Sequence, residues 1–318
     1  MSRETVLRIK MKRLPCILAA FVILSSCKGG FFDPAYQEII NSSVGNQRNP
    51  EIMISQFLYS IKDKSDRDKV KAMNDWISAV VDYDYDSYYS GSLSYRNGSM
   101  PSQSYYLAIT SGIAVCEGYA NVLVELCNRA GIPCKKIIGY GGRFPPFSPE
   151  EKYEPNHAWN MVYVNGKWNL IDVTWNDCDD GTVDYTYFFI DPDRMIHDHF
   201  PDNSAYQLLN NPKSWDEFMQ LPSVYSGYFE EVVTMDPLPK KIFTVQNKFN
   251  IKIEINNGWV LYWYLQPING FDINYSHKFD GQKATVTAAP GKYYLLVYAI
   301  ETSTENYKNV ALFGLVFE

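Results

Sequence analysis

The chain has 318 residues, a formal net charge of −7 and an apolar fraction of 46%. That length suits one large domain or two ordinary ones, with enough apolar surface for a core. Acidic and basic residues are mixed along the chain, which argues against a nucleic-acid surface or an anionic-membrane surface.

The first element in chain order is a leader. Residues 11–27, MKRLPCILAAFVILSSC, hold two basic residues, an apolar run from Leu14 to Leu24, and small residues before Cys27. This is the layout of a secretory signal peptide, and the run is too short for an ordinary transmembrane helix. The ending Leu24-Ser25-Ser26-Cys27 resembles a bacterial lipobox, so Cys27 is the expected lipidation site. The expectation is an exported lipoprotein of the cell envelope that meets the membrane only through its N-terminal lipid; the alternative is a soluble secreted protein. Residues 28–49 are rich in Gly, Ser and Asn and read as a tether.

From Asn49 to Val81 the pattern is helical, with Ser65 and Asp68 as a capping-box-like start and Val70, Met73, Ile77 and Val80 on one stripe. Residues 82–111 are rich in Ser, Tyr and Gly and show no clear period. They read either as a wall beside a substrate or as an ordinary loop. A helix is predicted from Cys116 to Asn128, stopped by Ala130-Gly131-Ile132-Pro133. KKIIGY (135–140) reads as a strand, followed by a Pro-rich loop. HAWNMVYVNGKWNLIDVTW (157–175) then reads as a hairpin turning at Asn165-Gly166. YTYFFI (185–190) is a further strand, and a short helix is expected near Ser214. From Lys240 onward, β-rich runs separated by Gly, Asn and Pro read as a separate small β-sandwich. The expected organisation is therefore a leader (1–27), a tether (28–49), a main domain (50–239) and a C-terminal β-module (240–318).

The hairpin register brings two chemical groups together. With a two-residue turn at Asn165-Gly166, Val164 pairs with Lys167, Trp159 faces Asp172 and His157 faces Thr174. His157 and Asp172 are then diagonal neighbours on one face, with Cα atoms roughly 7–8 Å apart. The rest of that face is largely apolar, so an unpartnered His or Asp there would cost several kcal/mol, and pairing meets the need. Taken alone, the pair reads equally as structural or catalytic. Cys116 shifts that balance, because it opens a helix, where the dipole and free N–H groups stabilise a thiolate. Thiol, imidazole and orienting carboxylate form a nucleophile–base–orienter set. Cys127 falls on the apolar stripe of the same helix and reads as a core residue. Cys134 reads as buried or as bonded to Cys127.

These stretches, GIAVCEGYANVLVELCNRAGIPCKKIIGY and NHAWNMVYVNGKWNLIDVTW, resemble the transglutaminase-like core. The likeness extends upstream through DKVKAMNDWISAVVDYDYDSYY and downstream through YFFIDPDRMIHDHFPD, the latter resembling the kyphoscoliosis-peptidase branch. It covers about Asn49 to Pro222. It implies an α+β, papain-like fold in which the Cys-bearing helix packs on an antiparallel sheet, followed by the small all-β sandwich. It also implies that Cys116 is the nucleophile, His157 the base and acid, and Asp172 the orienter. A backbone N–H at the cysteine would help hold the oxyanion, with a second donor upstream for which Gln103, Ser104 and Tyr106 are candidates. Trp159 and Trp175 are expected to shape the substrate pocket.

No cofactor or metal is expected. His197-Asp198-His199 has no further ligand pattern around it, and Asp177, Asp179, Asp180, Gly181 and Asp184 miss the EF-hand spacing. The expected activity is on amide bonds of a protein, a peptide or a peptidoglycan-type substrate through a thioester, with hydrolysis favoured over crosslinking. The competing expectation is a non-catalytic scaffold whose β-module docks protein or glycan.

Overall fold

The computed structural model describes residues 48–89, 103–142, 154–178, 182–268, 276–304 and 306–318. The leader, Cys27, most of the tether and the Pro-rich loop lie outside the described residues. No helix among the described residues is long and apolar enough to cross a membrane.

Two units divide these residues: 48–223 with Pro239–Phe243, and Val224–Leu238 with Thr244–Glu318. Composition places the boundary at Lys240, yet Val224–Leu238 packs with the C-terminal unit. The reason is strand pairing, because Val232–Asp236 lies antiparallel to Phe249–Ile255.

The first unit opens with two helices, α1 (Pro50–Ser60) and α2 (Asp66–Val80). Each starts where a side chain accepts orphan backbone N–H groups: Asn49 takes those of Glu51 and Ile52, and Ser65 takes that of Asp68. The run read as aperiodic contains short elements, β1 (Asp82–Tyr83), α3 (Tyr85–Tyr89) and α4 (Tyr105–Ser111), and β2 (Ile113–Ala114) follows it. Next comes α5 (Cys116–Arg129), whose buried stripe includes Tyr119, Leu123, Leu126 and Cys127.

A five-stranded antiparallel sheet follows, built from β3 (Cys134–Gly141), β4 (His157–Val164), β5 (Lys167–Ile171), β6 (Phe188–Ile190) and β7 (His199–Pro201), in the order β6-β5-β4-β3-β7. The turn residues Asn165 and Gly166 both have positive φ, 55° and 77°, as a two-residue hairpin turn requires. The observed pairs Val164–Lys167 through Asn160–Ile171 keep the register expected from the sequence.

Both faces of this sheet are covered. On one face Val162, Val164 and Ile171 join the helices in the main core. On the other, Ile137, Trp159, Met161 and Leu170 pack with Met195, Tyr206 and Leu208. At the centre of the main core Trp76 is fully buried and stacked on Phe57, centroids 4.8 Å apart. Trp76→Ala is expected to cost about 3–5 kcal/mol in denaturant unfolding. Trp76→Phe is expected to cost much less, because the indole N–H it removes has no partner among the described residues. Equal losses for the two variants would show that ring contacts are not what matters there.

The second unit is a two-sheet β module. Trp259–Pro267, Gly291–Glu301 and Tyr307–Phe317 run antiparallel side by side. Phe249–Ile255 lies between Lys283–Val286 and Val232–Asp236 in the other sheet. The sheets meet through apolar side chains such as Phe249 and Phe313, whose ring centroids are 6.4 Å apart. This is the expected β-sandwich.

Candidate active site

Cys116 is the first residue of α5, and the preceding Val115 supplies no side-chain cap. The cap comes from outside: Gln103 Oε1 accepts the Val115 N–H at 3.1 Å, and its backbone oxygen accepts from Asn121 Nδ2 at 2.7 Å. Gln103 is thereby fixed beside the first turn of the helix that Cys116 opens, leaving the amide NH2 as the end that can donate. Glycine at 118 permits this close fit, since a Cβ there would lie 2.4 Å from the Ala114 methyl and 3.0 Å from Gln103 Oε1.

His157 begins β4 and is 9% exposed. Cys116 lies near enough to this ring for its charge to act on it. On the other side, His157 Nε2 lies 2.6 Å from Asp172 Oδ2. Room for the ring comes from the neighbouring strand, where a Cβ at Gly141 would sit 2.6 Å from it. Asp172 is fully buried. It does not continue the strand as the register implies: pairing ends at Ile171, and Asp172 becomes the N-cap of α6 (Val173–Asn176), its Oδ1 accepting the Trp175 N–H at 3.1 Å. Aspartate is a favoured N-cap, so the local preference turns the chain here. The two side chains still meet.

The electrostatics suit a charged pair. Burial alone would pull His157 down, but the charges of Asp172 and Cys116 and the hydrogen bond with Asp172 raise it to about 10. Burial would push Asp172 up, but the His157 charge and hydrogen bonds from His157 and His199 hold its carboxyl well below the usual range.

Of the other expected residues, Trp159 is 2% exposed and lies in the core of the second face, stacked at 5.9 Å on His157. It is a packing residue and offers no surface to a substrate, because β4 is covered on both sides. Trp175 is half-buried, 5.2 Å from the His157 ring. Tyr106 is exposed on α4, the helix beside α5, and Ser104 caps that helix through the Leu107 N–H. Cys127 and Cys134 are free thiols. Their mutual hydrogen bond, then burial, pushes the Cys127 thiol up, which marks it as an inert core residue.

Two residues of the site escape the sequence reading. Tyr83 is placed by the pairing of β1 with β2 opposite Ala114, two residues before Cys116, and burial and the Cys116 charge push its phenol up. His199, set aside above for want of a further ligand pattern, places Nε2 3.0 Å from Asp172 Oδ2. The only sign of it in the sequence is the His-Asp-His triplet, whose tie to Asp172 arises from strand order and not from spacing. His157, Asp172 and His199 offer ligand-type atoms within 4.8 Å of one another. The short hydrogen bonds among those same atoms account for that proximity.

The profile of the transglutaminase-like superfamily matches residues 55–173, a span that contains Cys116, His157 and Asp172. Residues 55–173 are the transglutaminase-like stretch of the chain. The chain is 31% identical over 204 residues to kyphoscoliosis peptidase of Mus musculus, covering 60% of this chain and 29% of that protein. It is 30% identical over 134 residues to hillarin of Drosophila melanogaster, covering 36% of this chain and 16% of that one. The chain thus spans under a third of the length of these relatives. A solved TGase structure superposes on 44% of this chain and 37% of its own at 25% identity, with a TM-score of 0.30. In this transglutaminase-like domain the helix bearing the cysteine packs on β4 and β3, as the resemblance implies.

Proposed function

We propose that the domain is a cysteine-dependent enzyme acting on amide bonds. The observation that carries this reading is the 2.6 Å hydrogen bond between His157 and Asp172, with Cys116 at the start of α5 close enough for its charge to act on the same ring. The Cys116 thiolate attacks the amide carbonyl carbon, and the oxyanion is received by backbone N–H at the start of α5 and by the amide of Gln103. His157, raised to about 10, already carries the proton that the departing amine needs. The amine leaves and a thioester remains on Cys116. Water then attacks it, with His157 taking the proton, which releases acid and free thiol; an amine in place of water would give transamidation. Hydrolysis is favoured because two similar proteins are named as peptidases. The leader and the Leu24–Cys27 lipobox support an envelope location, where a protein, peptide or peptidoglycan-type amide would be the substrate.

The test is intact-mass detection of an acyl adduct after acid quench, using peptide and cell-wall fragment pools. Wild type is expected to gain adducts mapping to Cys116, with none on Cys116→Ala. A folded wild type that never acquires an adduct would leave the scaffold reading in its place.

A further inference from the structure

We propose that His199 is a positioning residue for Asp172: a second imidazole on the same carboxylate oxygen, anchored from behind by Asp198, fixes the plane in which Asp172 meets His157. This rests on the enzymatic reading above.

Asp172 Oδ2 is shared by His157 at 2.6 Å and His199 at 3.0 Å, while Oδ1 is tied to the Trp175 N–H. With one donor on each oxygen a carboxylate can still tilt; a third donor, from another direction, removes that freedom. His199 is well placed for this. Its Nδ1 lies 2.6 Å from Asp198 Oδ1, and Asp198 Oδ2 accepts the Tyr187 hydroxyl at 2.5 Å. Its backbone is set by β7 pairing opposite Gly141, and its ring packs 4.3 Å from Trp175 and 4.9 Å from Trp159. His199 is 1% exposed and Asp198 5%. An apolar pair would fill this space without the desolvation cost that buried polar groups carry, so filling space alone does not explain the pair.

The groups facing the triad are few enough to interpret a pH profile. Cys116 and Asp172 act on His157, and Tyr83 faces both Cys116 and Asp172. Behind His199 stand Asp198 and Tyr187, with Lys241 and His197 beside Asp198. Burial lowers Lys241 to about 8 against the pull of Asp198, so pH 5–7 lies below its titration.

The test reads iodoacetamide alkylation of Cys116 against pH in the full chain, with peptide mapping and circular dichroism to establish folding. His199→Phe is expected to slow alkylation near pH 6 by about tenfold, moving the midpoint up by about one unit. His199→Gln, whose amide keeps a donor toward Asp172, is expected to recover most of that loss, with Asp198→Asn in between. A His199→Phe profile within twofold of wild type overturns the proposal. So does an equal loss in the Phe and Gln variants, which would mark a packing role. A shift to lower pH also overturns it, marking repulsion between the two rings. Should His199→Phe fail to fold, the Asp198→Asn profile decides: unchanged from wild type, the anchor plays no part. A wild type that is unreactive near pH 6 would count against the enzyme itself, not against His199.

Discussion

Asp172→Ala is expected to damage stability and chemistry together. The substitution leaves His157 Nε2, His199 Nε2 and the Trp175 N–H without their common acceptor, around a carboxylate that is itself fully buried. Removing one member of a buried charged network of this kind costs about 3–5 kcal/mol, to be read as a loss in denaturant unfolding. Asp172→Asn keeps the shape and an acceptor oxygen, so it is expected to retain more of the stability. Its amide cannot compensate the charge of the imidazolium or fix the tautomer, so turnover is expected to fall by about 10⁴-fold, as in the serine version of the arrangement. The contrast separates the two roles. Near-normal turnover in a folded Asp172→Asn enzyme would remove Asp172 from the mechanism.

The second large effect concerns His157 and pH. His157 is raised in the folded state, so its contribution to stability is complete below about 6.5 and is lost as pH climbs through about 10. Asp172 is lowered, so its contribution is complete above about 3.9 and is lost only in stronger acid. Unfolding free energy is therefore expected to be level between those limits and to decline on the alkaline side. In His157→Ala the part of that decline due to His157 is expected to vanish. The same variant is expected to alkylate at Cys116 about a hundredfold more slowly near pH 6, because an ordinary thiol is only about 0.3% thiolate there. A His157→Ala protein that reacts at the wild-type rate near pH 6 would show that the helix N-terminus alone activates the thiol.

The sequence carries the hairpin well because a two-residue turn leaves no freedom in register, so pairs from Val164–Lys167 to Asn160–Ile171 follow by counting. It carries less at Asp172, where an N-cap preference competes with strand continuation and wins. Trp159 shows the limit of reading a face from alternation: the pattern says which residues share a side, not that another layer covers that side. The helix Tyr105–Ser111 is under two turns long, too short for a period to show in a Tyr- and Ser-rich run. His199 lies beyond local patterns altogether, since it reaches Asp172 only because β7 adds to the far edge of β3.

The doubly covered sheet has a consequence for how the chemistry can be adjusted. Cys116 is seated by the Ala120–Ala158 contact on one side of β4, whereas the histidine is backed by Trp159 on the other. Two separate sets of side chains therefore govern the nucleophile and its base. Volume changes among the helices act first on the seat of the thiol, and changes around Met195 and Tyr206 act first on the layer behind the imidazole. The thiol and the imidazole are in that sense held by different packing layers of one small sheet.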